Sequence, residues 1–92
     1  MSRRAKFVRD MGWRGDARLY RLSESIDVNG SPCNHVVVSG VDVPLSGPET
    51  YIFPHDGGEG SALIEYLEIE GSFKGAIDHG RALRGLGFEE EG

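Results

Sequence analysis

The run His35-Val36-Val37-Val38-Ser39-Gly40-Val41-Asp42-Val43 decides the fold class. Five of its nine positions are valine, whose branched side chain fits a pleated, packed surface, so the run is expected to form a strand. Successive strand residues point to opposite faces. Apolar groups at 36, 37 and 38 therefore occupy both faces and place this strand in the middle of a sheet. Downstream, Pro44-Leu45-Ser46-Gly47-Pro48 forms a compact turn. Glu49-Thr50-Tyr51-Ile52-Phe53 is expected as a strand that returns antiparallel and is closed by Pro54. Upstream, Ala17-Arg18-Leu19-Tyr20-Arg21-Leu22 has a strand-like length and mixture. Ser23 to Pro32, which includes Asn29-Gly30, is expected as a loop or hairpin tip.

Further along, His55 to Gly60 is a loop, and Ser61 to Ile69 fits a short strand with irregular continuation, although Leu63, Tyr66 and Leu67 are also spaced for a helix. Asp78 can cap a helix whose inward face is Ala82, Leu83 and Leu86, with Gly87 at its exit and Phe88 folding back on the core. The expected core is Leu19, Leu22, Val36, Val37, Val38, Val41, Tyr51, Phe53, Leu63, Ile77, Leu83, Leu86 and Phe88. These elements predict an α+β fold: a small antiparallel sheet of about three to five strands with one C-terminal helix packed on one face. Residues 1–92 form one small domain, with 1–6 and 89–92 frayed.

A chain of 92 residues has no room for two cores. Its composition, 38% hydrophobic and 27% charged, is globular, and fourteen glycines favour a sheet with short loops over a helical bundle. Cys33, the one cysteine, excludes an intramolecular disulfide and the common zinc patterns, so a reducing, cytoplasmic setting is expected. No apolar run approaches the roughly 20 residues that span a bilayer.

Net charge is −5, yet its distribution is uneven. Arg3, Arg4, Lys6, Arg9, Arg14, Arg18 and Arg21 precede position 22 against Asp10 and Asp16 alone, whereas thirteen carboxylates follow against Lys74, Arg81 and Arg84. Such asymmetry can mark a polar binding face, and a solvated surface produces it too.

Three strings, FVRDMGWRGDARLYRL, VVVSGVDVPLSGPETYIFP and EGSFKGAIDHGRALRGLGF, cover most of the chain. Together they resemble a group of small uncharacterised proteins of actinobacteria and their bacteriophages. The shared features are the WRGDARLYRL-type opening, the V-D-V-P-x-S-G-P-E-T-Y-I-F-P run and the glycine-rich helical end. The resemblance implies a source, and a region of differing length from Ser23 to Asn34. It implies no activity, cofactor or catalytic residue.

Residue chemistry is sparse. His55-Asp56 and Asp78-His79 are adjacent pairs that lack metal-ligand spacing, Ser39 and Ser46 lie outside the G-x-S-x-G pattern, and Cys33 has only His35 close in sequence as a base. Gly57-Gly58-Glu59-Gly60-Ser61 has no phosphate-binding lysine. No catalytic residue, metal or cofactor is expected, and the chain is taken to be non-enzymatic.

The opening segment is more informative. Phe7, Trp13 and Tyr20 alternate with Arg9, Arg14, Arg18 and Arg21, residue types that stack on bases and contact phosphates. Trp13, Arg14, Arg18, Tyr20 and Arg21 are the candidate binding residues. The leading expectation is a protein-interaction module with an unidentified protein partner, phage-encoded and acting on a host protein, in keeping with the acidic remainder of the chain. The alternative is a nucleic-acid-binding protein that uses this basic and aromatic segment. Self-association through a sheet edge stays open.

Overall fold

The computed structural model describes residues 3–12, 16–28, 30–55 and 71–91. They form β1 (Arg4–Asp10), β2 (Asp16–Val28), β3 (Ser31–Val43), β4 (Gly47–His55), β5 (Phe73–Lys74), α1 (His79–Leu86) and β6 (Glu89–Glu91). The six strands make one sheet in the order β5-β4-β3-β2-β1-β6. All neighbours are antiparallel except β6, which runs parallel to β1. Among these residues no helix is long and apolar enough to cross a membrane.

This architecture corrects the expected sheet of three to five strands with a helix layered on one face. The sheet has six strands and curls into a half-barrel, and its one short helix is followed by a further strand. Two causes account for the difference. First, β2 runs on to Val28 and β3 begins at Ser31, so most of the stretch expected as a loop or hairpin tip is strand, in a long hairpin whose register shifts between Arg21 and Ile26. Beyond the shift, Ile26, Asp27 and Val28 stay extended because Cys33, Pro32 and Ser31 face them across the ladder. Second, the segments expected as frayed ends pair with each other: Arg4, Ala5 and Lys6 face Glu89, Glu90 and Glu91. No local pattern announces that pairing, which joins opposite ends of the sequence.

The valine strand is central, as its two apolar faces require. Val36 and Val38 join Ala5, Tyr20, Leu22, Ile52, Ala82, Leu83 and Phe88 in the main core, on the sheet face covered by α1. Val37 joins Ala17 and Leu19 on the opposite face, with Met11 packed against them. Full burial of one such aliphatic side chain contributes about 1.5–3 kcal/mol.

The helix follows its expected signals. The Asp78 side chain accepts a hydrogen bond from the Arg81 amide at 3.0 Å, which satisfies one of the unpaired first-turn donors. Gly87 ends the helix at φ 103°, a left-handed conformation that glycine adopts without a Cβ penalty, and the turn swings Phe88 into the core.

Strand β4 has the opposite phase from the expected one. Thr50, Ile52 and Pro54 are buried, whereas Tyr51 and Phe53 turn to the opposite face and stack on each other at 6.2 Å. Thr50 tolerates the core because its hydroxyl donates to the Ala76 carbonyl at 2.8 Å and accepts from the Asp78 amide at 3.1 Å. These bonds tie down the chain around Ile77, which is exposed and lies over Gly40 instead of entering the core. Val41 is only partly buried. Of the loop expected from His55 to Gly60, His55 instead ends β4, and positions 56–60, the 61–69 segment and Leu63 fall outside the described residues.

Candidate anion-binding groove

Strands β1, β2 and β6 carry charged residues on both faces of the sheet, and alternation sorts them into two environments. On the helix-covered face lie Arg18, Tyr20 and Glu90, residues that pair with or follow core positions. Arg18 is held by Asp16 through two hydrogen bonds of 3.1 and 3.0 Å. Tyr20 is wholly buried, and its hydroxyl donates to Glu90 at 2.7 Å. Burial, reinforced by the Glu90 carboxylate, pushes the Tyr20 phenol up to about 12. Hydrogen bonding to Tyr20, then to Asp16, raises Arg18 above its ordinary value. His79 completes the cluster by donating its Nε2 hydrogen to the Asp16 carbonyl at 2.8 Å, since a carbonyl can only accept.

On the other face, register brings cations together. Lys6 stands directly opposite Arg21, Arg21 opposite His35, and His35 opposite His55. Arg4 lies two residues before Lys6 and so shares its face. Arg4, Lys6, Arg21 and His35, with Leu22, Ser23, Asn34 and Glu91, line a groove of about 570 Å³. Among the described residues, no carboxylate comes within 4.0 Å of the side chains of Arg4, Lys6 or Arg21. Glu91 is the one acid in the lining, opposite Lys6 in the β1–β6 register. Like charges facing each other across two strands are destabilising, so Lys6 against Arg21 is a local cost in a chain with carboxylates to spare.

The candidate residues thus part company. Arg21 lines the groove, Arg18 is engaged with Asp16, and Tyr20 is a core residue with its hydroxyl satisfied. Trp13 and Arg14 lie outside the described residues. Sequence reasoning missed Arg4, Lys6, Ser23, Asn34 and His35 as groove residues. The available signal was Arg4-x-Lys6, an alternation that puts both cations on one side of a strand, but nothing local reveals that Arg21 is their neighbour.

Cys33 is buried, and its thiol donates to the His35 carbonyl at 3.0 Å. Among the described residues no three His, Cys, Asp or Glu side chains gather as metal ligands. No protein-family model, curated protein or solved structure matches the chain.

Proposed function

We propose that the chain is a non-enzymatic binding module that meets an anionic partner at the groove of Arg4, Lys6, Arg21 and His35. One observation carries this reading: three cations with no carboxylate partner among the described residues converge in a protein whose net charge is −5. Where a fold retains an unfavourable local arrangement, function is the usual reason. Distant carboxylates do not cancel the field in the groove, because exposed charges are largely screened beyond about 8–10 Å at physiological salt. The lone, buried cysteine supports a cytoplasmic setting.

Retention on immobilised heparin tests the reading. A uniformly acidic protein with a pI near 5.1 flows through at neutral pH. The groove predicts retention, released by salt and lost in the double variant Lys6→Glu/Arg21→Glu. The double variant Arg81→Glu/Arg84→Glu, equal in charge change but on the helix, stays retained. Flow-through of the unaltered protein, or equal loss in both variants, removes the groove as a binding site.

A further inference from the structure

We propose that the groove takes a small phosphorylated sugar or polyol, its phosphomonoester held by Arg4, Lys6, Arg21 and Ser23 and its hydroxyls by Glu91 and Asn34. The inference rests on the groove reading and adds the class of ligand. Lys6 stands opposite Arg21, and two residues back along β1 the Arg4 amide donates to the Ser23 hydroxyl oxygen at 2.8 Å. These four positions mark a rectangle about 4.8 Å across the strands and about 6.7 Å along them. Arginine and lysine side chains only donate hydrogen bonds, and Ser23, whose oxygen accepts from Arg4, keeps its hydroxyl hydrogen for a ligand. A patch of donors alone selects a group that only accepts. An ionised phosphomonoester does so with three oxygens and a charge of about −1.5 to −2 at neutral pH, and the planar guanidinium matches it in bidentate fashion.

Either side of that patch the lining changes character. Glu91, opposite Lys6 on the β6 side, accepts hydrogen bonds when ionised, and Asn34, on the β3 side, both donates and accepts. The Glu91 carboxylate lies more than 4.0 Å from the Lys6 amine, so the two are not an ion pair and each is open to a ligand. Donors therefore hold the middle of the groove and acceptors its flanks. A ligand that fits this order carries its anion at the centre and hydroxyl groups towards the ends. Leu22 is the one apolar side chain among the described lining residues, so the body of the ligand is hydrophilic.

The same lining disfavours the competing anions. A polyanionic chain crossing the strands would bring its next charge against Glu91, and like charges placed face to face are costly. A lone inorganic ion would fill only part of the volume and leave Glu91 and Asn34 to water. About 570 Å³ falls within the roughly 300–1,000 Å³ of small-ligand sites, which leaves room for a sugar-sized body beyond the phosphate.

Isothermal titration calorimetry with three probes tests the proposal: glucose 6-phosphate, ethyl phosphate and diethyl phosphate. Glucose 6-phosphate is expected to bind about fivefold more tightly than ethyl phosphate, the effect of roughly one net hydrogen bond. Ethyl phosphate in turn binds more tightly than diethyl phosphate, which has one charge and one terminal oxygen fewer. Glu91→Ala removes an acid beside the anion and so strengthens ethyl phosphate binding, yet it erases the advantage of the sugar; a purely electrostatic role for Glu91 would strengthen both alike. Equal binding of glucose 6-phosphate and ethyl phosphate overturns the hydroxylated ligand, and equal binding of ethyl and diethyl phosphate overturns the phosphomonoester. Failure of all three to bind while heparin is still retained overturns this inference and leaves the groove reading intact, whereas loss of heparin retention overturns both. The probe comparison needs only the unaltered protein, so it stands even if Glu91→Ala disturbs β6.

Discussion

Two clusters that share strands β2 and β6 differ in one respect: the helix-covered cluster satisfies its charges internally, and the groove does not. In β2, Arg18 is clasped by Asp16 while Arg21, three residues on, has only Lys6 and His35 opposite it. In β6, Glu90 accepts the Tyr20 hydroxyl while its neighbour Glu91 faces the groove. Residue type does not separate the two clusters. Face does, because a one-residue step along a strand exchanges a packed interior for solvent. The difference teaches that internally paired and solvent-facing charges are divided here by alternation within each strand.

The largest effect should come from emptying the closed cluster. Tyr20→Ala removes a fully buried aromatic ring and is expected to lower unfolding free energy by about 3–5 kcal/mol in urea titration. A loss below about 1 kcal/mol would show that the ring is not part of the core.

Alkaline pH probes the same cluster more gently. The fold favours the neutral phenol, raising Tyr20 from 10.0 to about 12. Its stabilising contribution is therefore complete below pH 10.0 and is lost as pH rises towards 12, by about 2–3 kcal/mol if the full shift is expressed. Denaturation midpoints measured across this window should fall for the unaltered protein and fall less for Tyr20→Phe. Identical pH profiles would assign the alkaline loss to other groups.

The smallest effect concerns the groove and has the opposite sign. Arg21→Glu replaces the like-charge pair with Lys6 by an attractive one, which is expected to raise stability by about 0.2–1 kcal/mol while heparin retention falls. A variant that loses stability and binding together would indicate that Arg21 is structural, and the contrast between the clusters would collapse.

The parts of the fold legible in the sequence were those set by local chemistry. The Asp78 cap, the Gly87 exit, the Pro44–Pro48 turn and the central Val36–Val38 strand each depend on residues within a few positions of one another. The phase of β4 was not legible, because Tyr51 and Ile52 are both apolar and the face that becomes the core is chosen by Thr50 bonding to Ala76 and Asp78, far along the chain. Strand β6 was invisible for a stronger reason: three glutamates have poor strand preference and become a strand only beside Arg4–Lys6. Of the candidate site, Arg21 was found from its charge and setting. Arg4 and Lys6 were assigned to a frayed end, and Tyr20, equally at home in a core or on a stacking surface, proved to be core.

The pairing of β6 with β1 has a kinetic consequence. It closes a loop of nearly the whole described chain, the costliest kind of contact to form early, because closure entropy must be met before the few bonds it brings are gained. The β2–β3 and β3–β4 hairpins can assemble from neighbouring segments as synthesis proceeds; the edge that carries Glu91 cannot. Since the groove takes its walls from β1, β2, β3 and β6, it exists in finished form only once the last strand has docked. A chain in which β6 has not docked holds the same cations without the surface that arranges them, so the proposed binding would begin only after β6 joins the sheet.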